Sequence, residues 1–474
     1  MPPSPELNSE GPLRITVSAD GNALTEGAEL ISVTVRRAIN TVPTATLVFR
    51  DGDMPQQTFP LSDGATFRPG ARIKLSAGYG DGEPTIIFCG IVVRHSLKIS
   101  GANDARLVVE CYDETVKMTM GRRSTLYENQ TDAQAISTLL GVNGLEATVA
   151  STPRAHPGLV QHYCTDWDFM VARAEASGCV VIVDDGKVTV GPPVVGGEPA
   201  LSVTYGTDLI EFQADLDARH QHATVTTQAW DMKTQAVQLS TEARPNDLTN
   251  QGNLNGAKLA QVLDRRPAFL QTGAPWSKEA LDGWAKAQQL KTSLSRLRGR
   301  MRFQGSALAR VGGLVKLQGV GERFNGSVWV TGLTHQIQEG NWFTDAEFGA
   351  PAQWSTEQAD VVAPAASGLI LGIEGLHIGV VLKLDADPAG EHRILVQVPS
   401  ANIDRVWARL LQLHASNAFG AFFLPEVGDE VLLGWFNNDP DFPVVLGSLY
   451  SSKRAPPYAL AAGNDIKAMV TRCG

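Results

Sequence analysis

The run Phe419-Gly-Ala-Phe-Phe-Leu-Pro-Glu-Val-Gly-Asp-Glu-Val-Leu-Leu-Gly-Trp-Phe-Asn-Asn-Asp-Pro-Asp-Phe-Pro-Val-Val-Leu-Gly-Ser-Leu-Tyr450 decides the reading of this chain. Pro425-Glu426-Val427-Gly428-Asp429 is a turn that leads into an apolar run, Glu430–Phe436. Asn437-Asn438-Asp439-Pro440-Asp441 is a second turn, and Val444–Leu449 a second apolar run. Working backwards, His377–Leu384, Arg393–Val398 and Val406–Gln412 are three more runs of strand length. Five short strands over residues 376–450 predict a barrel of the oligonucleotide/oligosaccharide-binding (OB) type.

Upstream, Asp360-Val361-Val362-Ala363-Pro364-Ala365-Ala366-Ser367 reads as a linker. Residues 13–49 alternate apolar and polar (Leu13, Ile15, Val17; Ile31, Val33, Val35; Leu47, Phe49), and Arg72–Ala77, Thr85–His95 and Ala105–Cys111 continue as strands. Thr131–Leu140 is a short helix. Thr165-Asp166-Trp167-Asp168 opens a second, with Trp167, Met170 and Ala174 on one side and Gly178 as its stop. Asp184-Asp185-Gly186 turns a hairpin between Cys179–Val183 and Lys187–Val190. Residues 201–240 are strand-like, 241–275 form an irregular connection, and Ser277 caps a helix to about Leu294 before strands return at 300–348. Pro69-Gly70-Ala71-Arg72-Ile73-Lys74-Leu75 with Phe88-Cys89-Gly90 is echoed by Val311-Gly312-Gly313-Leu314-Val315-Lys316-Leu317 with Phe324-Asn325-Gly326. That repeat implies two similar barrels separated by helical inserts.

Composition bounds the function. With 474 residues, about three domains are expected. A hydrophobic share of 43% against 19% charged excludes disorder, and a net charge of −10 argues against general binding to nucleic-acid phosphates. Cys89, Cys111, Cys164, Cys179 and Cys473 form no C-x-x-C pair and read as free thiols of a reducing compartment. No signal peptide and no membrane span is visible, so the protein is expected to be made in the cytoplasm and to leave, if it leaves, by another route than Sec.

Three segments resemble the VgrG-type spike and phage late-control hub family. They are Tyr163 with Thr165-Asp166-Trp167-Asp168-Phe169, Gly178 and Asp185-Gly186-Lys187-Val188; Gly319-Val320-Gly321 with Phe324-Asn325-Gly326, Val330-Thr331, His335, Gly340 and Phe348; and the C-terminal segment. In that last one the match runs through Gly375-Leu376-His377-Ile378-Gly379, Asp387-Pro388-Ala389-Gly390-Glu391-His392-Arg393, Trp407-Ala408-Arg409 and the quoted stretch. The resemblance covers nearly the whole chain and implies a mainly β protein with helical inserts: a first hub barrel (1–120), a helical/hairpin insert (121–200), a mixed insert (201–299), a second hub barrel (300–358), a linker (359–375), the OB barrel (376–450) and a truncated entry to a β-helical needle (451–474). It also implies a homotrimer whose two hub barrels per chain give a pseudo-sixfold ring. Such a ring mates a threefold spike to a sixfold inner tube, with baseplate proteins, a PAAR-like tip protein, effector cargo and the target membrane as further partners. The opening 20 residues look closer to phage-tail-like and extracellular injection particles than to type VI ones.

Catalytic chemistry finds little support. Asp166 and Asp168 flank Trp167 as a glycosidase pair could, but capping of a helix accounts for both. His220 and His222 would share a strand face suited to metal, without a third ligand nearby; the acidic turns at 429–430 and 437–441 lack a calcium-loop pattern. No Gly-x-Ser-x-Gly, P-loop or His-Glu-x-x-His string occurs, so no catalytic residue, cofactor or metal is expected. Trp407, Phe422, Phe423, Trp435 and Phe436 are able to stack on bases, but the acidic loops beside them oppose nucleic acid. Interface residues are expected instead. Arg298, Arg300 and Arg302 would share one strand face, with Met301 and Phe303 behind them, for acidic tube or neighbouring subunits. Arg296 belongs to the same alternating row. Trp435 and Phe436 point to opposite faces, one into the core and one to an interface. The alternatives are a cell-wall hydrolysing spike and an OB-type nucleic-acid binder.

Overall fold

Period-two patterning obliges each strand to bury one face, and long-range ladders decide how those faces assemble. The computed structural model describes residues 2–5, 11–24, 27–101, 104–263, 267–361, 366 and 371–471, and the chain divides into two units, Met1–Val361 and Val362–Gly474. Most of the linker 359–375 and Cys473 lie outside the described residues.

The first unit is organised by one thirteen-stranded sheet with two halves. The first half holds β1 (Leu13–Ala19), β2 (Leu30–Ala38), β3 (Thr44–Arg50), β4 (Arg72–Tyr79), β5 (Thr85–Ser100) and β6 (Asp104–Tyr112), with a two-residue strand, Asn22–Ala23, on the outer side of β1. The second holds β7 (Leu201–Thr204), β8 (Leu209–Leu216), β9 (Leu297–Gln304), β10 (Leu314–Gln318), β11 (Gly326–Gln338) and β12 (Asn341–Phe348). Their orders are β2-β3-β6-β5-β4-β1 and β8-β9-β12-β11-β10-β7, the same path twice. Two bulges also coincide. The β2–β3 ladder skips a residue between Leu30 and Ser32, and β8–β9 between Leu209 and Glu211. The β5–β6 ladder skips between Val92 and Arg94, and β11–β12 between Val330 and Gly332. The halves differ in the outer strand, β1 being antiparallel to β4 and β7 parallel to β10, and in a further bulge of the β4–β5 ladder at Leu75/Ser76 that the β10–β11 ladder lacks.

Each half has its own core. Val33, Leu47, Phe49, Phe67, Leu75, Phe88 and Val109 fill the first; Val203, Met301, Phe303, Leu317, Val330 and Phe348 fill the second. The halves are joined edge to edge by β11 and β2, from Gly332↔Ala38 to Gln338↔Ser32. Ile337 and Trp342 of the second half therefore sit in the first core.

Three readings are corrected here. The Gly-led strand of the repeat is equivalent in both copies, but the Phe-x-Gly is not: Phe88 faces Leu75, whereas Gly326 faces Leu317. The 201–299 segment is not a single insert, because β7 and β8 belong to the second half of the sheet. The connection 241–275 contains a helix and a strand, Gly256–Val262 and Ala268–Thr272. The strand pairs in parallel with Val225–Asp231, a partner too remote for local periodicity to reveal.

The inserts follow their caps. α1 (Asp132–Val142) starts at a Thr131/Gln134 capping box, and α2 (Asp166–Ala176) at Thr165. α3 (Gly256–Val262) starts at Asn255, and α4 (Lys278–Ser295) at Ser277. Trp167, Met170 and Ala174 are buried against Ile136, Leu139 and Leu140, as their spacing requires. The Asp185-Gly186 turn takes positive φ at both positions, 51° and 85°, which a two-residue hairpin of matching twist demands. The antiparallel pair Arg123–Thr131 and Ala155–Cys164 was not evident from the sequence.

In the second unit β13 (His377–Lys383), β14 (Ile394–Val398), β15 (Ile403–Leu410), β16 (Glu430–Trp435) and β17 (Pro443–Ser448) form a closed barrel in the order β13-β14-β15-β17-β16. Val381, Val396, Val431, Leu433 and Val445 fill it. The β14 entry loop is fixed by Asp387, which accepts from the Ala389, Glu391 and Arg393 amides and from the Arg393 guanidinium at 2.7 Å. The guanidinium first, then those amides, hold the Asp387 carboxyl well below the ordinary carboxylate range. Among the described residues, 451–471 contain no strand.

Candidate assembly surfaces

The arginine row on β9 has unequal members. Met301 and Phe303 are fully buried behind it, as the alternation requires. Arg302 is not free: its guanidinium donates to both oxygens of Asp345 at 3.0 and 2.8 Å and to Gln336 at 3.0 Å. Arg300 approaches Glu211 only at 3.7 Å and is half exposed. Arg298 faces Asp215 across the β8–β9 ladder and is exposed. These two line a cleft of about 860 Å³ with Gln213, Asp215, Asp217 and Glu347. Arg296 does not belong with them. It closes α4, is 4% exposed, and donates to the Leu254 and Gln251 carbonyls at 2.7 and 3.0 Å.

A clasp that the sequence did not announce lies at the seam. Arg37 at the end of β2 binds Asp184, Asp185 (2.6 Å) and the Ile87 carbonyl (2.5 Å). The Cys89 amide donates to Asp185 at 2.9 Å, Arg310 binds Asp184 at 2.9 Å, and Gly186 donates to Asp113 at 2.8 Å. The hairpin tip thus touches both halves of the sheet. Burial, and then the Asp185 charge, pushes the Cys89 thiol up to about 11, so it stays protonated and unreactive. A turn motif is legible as Asp-Asp-Gly; its arginine partners, remote in sequence, are not.

A second buried pair ties the inserts to the seam. Lys291 of α4 donates to Glu175 of α2 at 2.7 Å and to the Gln353 carbonyl at 2.8 Å. Glu175 also accepts from the Ser355 amide (2.8 Å) and from Asn40 (3.2 Å), which pairs with the Val181 backbone. His335, 3% exposed, bonds Thr344 at 3.0 Å beside Trp342; burial, then the Arg37 charge, lowers it to about 3, so it is neutral.

The enzymatic candidates dissolve into structure. Asp166 accepts from Arg123 at 2.6 and 3.0 Å, from Gln161 at 2.9 Å and from Asn143 at 3.0 Å. Burial opposes its ionisation, but these donors prevail and hold the carboxyl below its usual range. Asp168 donates its amide to the Thr165 cap at 3.0 Å. His220 lies in a turn and His222 in the irregular chain after it, neither on a strand, and Gln221 between them is buried and donates to the Thr292 carbonyl. Among the described residues no cluster of three or more His, Cys, Asp or Glu is placed to hold a metal.

On the OB barrel Trp435 packs half-buried against the core with its ring 5.0 Å from that of His377. Phe436 lies not in the strand but in the following 3-10 turn, 51% exposed, with Arg409 at 5.9 Å over its ring. Phe419, Phe422, Phe423, Phe442 and Tyr450 are exposed as well.

Residues 9–339 match the family described as the Alg8 N-terminal domain. The chain belongs to that family. Residues 377–450 match the type VI secretion system/phage-baseplate injector OB domain, which bears out the VgrG-type resemblance read from the same residues. The type VI secretion system spike protein VgrG3 of Vibrio cholerae is 39% identical over 54 residues, 11% of this chain and 5% of that protein. The chain thus spans a small fraction of its curated relative. The 43 kDa tail protein of prophage MuSo2 from Shewanella oneidensis has the same fold over 72% of this chain and 99% of its own, with a TM-score of 0.54 at 12% identity. The tail protein of Neisseria meningitidis MC58 covers 73% and 98%, with a TM-score of 0.53 at 12% identity.

Proposed function

We propose that this protein is the structural central spike and hub of a contractile injection system. It caps the inner tube, nucleates baseplate and tube assembly, and pierces the target membrane when the sheath contracts. The observation that carries this reading is the duplicated sheet, two halves with the same strand order and two bulges in common, on a chain that continues into an injector OB barrel. A threefold assembly of duplicated halves offers six similar faces to a sixfold tube, which an unduplicated subunit could not do. The working form is a homotrimer. Its partners are the inner tube protein, baseplate proteins and a PAAR-like tip protein, with effector cargo carried on the spike.

The role is mechanical, and no residue is assigned to catalysis. Arg298 and Arg300 supply the basic contact to acidic tube or neighbouring subunits; Arg302 supports them through Asp345. Phe436 supplies the apolar contact of the OB barrel, with Trp435 behind it. Among the described residues no helix is long and apolar enough to cross a membrane. Light scattering should give the mass of three chains, and negative-stain images a threefold ring that binds tube protein. A monomer at micromolar concentration, or release of fragments from purified cell wall, would defeat the proposal.

A further inference from the structure

An amine, a carboxamide and a carboxylate meet at one buried atom of the hub. Glu175 Oε1 accepts from Lys291 Nζ at 2.7 Å and from Asn40 Nδ2 at 3.2 Å. The Lys291 and Glu175 side chains are only 11% and 8% exposed. Taking two charges out of water is costly, and an ion pair by itself has no need of an asparagine. What sets this pair apart is the third group on the same oxygen. Ile39, Trp167, Val180, Leu290 and Leu294 make the rest of the cleft apolar, and its volume of about 290 Å³ leaves room for a small molecule to depart.

Each of the three is held in place from outside the trio. Asn40 follows β2 in the left-handed region, at a φ of 58°. Its amide donates to the Val181 carbonyl, and the Val181 amide donates to Asn40 Oδ1, both at 2.8 Å. The carboxamide is thereby oriented, nitrogen toward Glu175 and oxygen toward a backbone donor. Glu175 Oε2 is engaged by the Ser355 amide at 2.8 Å, which leaves Oε1 to the two nitrogens. Lys291 Nζ is aimed by the Gln353 carbonyl at 2.8 Å and lies 5.0 Å from the centre of the Trp354 ring. That ring is fixed in turn by its own N–H, which donates to Gln288 at 2.9 Å.

We infer that Lys291 and Asn40 join in an isopeptide bond, with Glu175 as the proton carrier. The ion pair is the state before reaction. Lys291 passes one proton to Oε1, and the freed amine attacks Cγ of Asn40. The N–C bond forms while the carbonyl pair moves onto Oδ1, where the Val181 amide stabilises the charge. Oε1 then protonates Nδ2, the Cγ–Nδ2 bond breaks, and ammonia leaves as the carbonyl re-forms. A second proton from the lysine nitrogen returns to Glu175, which ends as a neutral acid. Nothing is oxidised or reduced, and two buried charges are removed, a gain in an apolar site. The bond fastens the turn after β2 to α4, two parts of the hub that are remote in sequence. The inference does not depend on the function proposed above.

Mass spectrometry of the full-length protein tests this. The intact chain should be lighter than its sequence by one ammonia. Trypsin should release residues 38–50 and 287–296 as a single branched peptide, uncut after Lys291. Glu175→Gln should form the bond about a hundredfold more slowly or worse. Lys291→Arg keeps the charge but offers no neutral amine, and should not form it at all. Circular dichroism checks that both variants fold; should either misfold, the branched peptide of the wild type decides alone. Separate peptides at full mass after prolonged incubation overturn the inference. So does an ammonia loss that maps to Asn143, Asn255 or Asn325, each followed by glycine and able to cyclise on its own backbone. A branched peptide that forms as fast in Glu175→Gln confirms the bond and overturns the role given to the carboxylate.

Discussion

The OB barrel and the hub sheet solve the same problem in opposite ways. Five strands of the barrel close on themselves through the parallel pair Arg409↔Val444, so no strand of that ladder is left bare. The thirteen strands of the hub do not close, and their order ends at β8. Closure makes a unit that is complete in its hydrogen bonding; an open sheet with a duplicated plan makes one that is completed by its neighbours. The hub also relies on charged pairs in its interior, whereas the centre of the barrel is aliphatic. These contrasts predict that the two parts respond differently to the same perturbations.

The largest effect is expected from Lys291→Met. It leaves Glu175 charged and buried without its counter-ion and should cost the hub about 3–5 kcal/mol. Scanning calorimetry should show a lower hub transition beside an unmoved barrel transition; a joint shift of both would mean that the units unfold together. Leu433→Ala, at a position fully buried in the barrel, should do the reverse, with a loss of about 3 kcal/mol confined to the barrel. An unchanged barrel midpoint in denaturant would contradict the packing described.

Acid separates the two as well. The His335 pKa is depressed to about 3, against about 6.5 in an unfolded chain. The unfolded state therefore takes up a proton that the native state refuses, and stability falls as pH drops through the window from about 6.5 to about 3. Linkage gives a loss of about 2 kcal/mol at pH 5 relative to pH 7. Asp387 in the barrel has the opposite timing, because its contribution persists above the unfolded carboxylate range and fades only at lower pH. A His335→Gln variant whose hub keeps the same slope between pH 7 and 5 would remove this histidine as the cause. A smaller change should follow Thr165→Ala, which deletes the α2 cap, at about 1 kcal/mol from the hub. Smallest of all, Arg298→Glu should leave both transitions within about 0.5 kcal/mol while lowering the affinity for tube protein. Unaltered tube binding would take Arg298 out of the interface.

Much of this molecule was legible from local pattern. Thr131, Thr165 and Ser277 announced their helices because a capping oxygen acts within three residues. The five barrel strands were readable because each is bounded by turn residues. Reading failed where the partner is far away. Arg302 looked like a free cation, since nothing near it in sequence hints at Asp345. His220 and His222 alternate as a strand does, but the ladder ends at Leu216 and the chain turns. Residues 209–216 were placed in an insert because their partner, β9, lies beyond two helices and another sheet.

The sequence by itself determined which residues alternate, where helices start, where hairpins turn and that one strand motif occurs twice. Backbone sterics and capping hydrogen bonds act over a few residues and need no fold to be expressed. Only the tertiary structure decided that the two copies share two bulges, that β11 stitches to β2, and that the matching stretch of β5 has no second strand beside it among the described residues. Those outcomes depend on hydrogen bonds and buried faces brought together from more than two hundred residues apart, such as Ile337 and Val33. No local pattern carries that information.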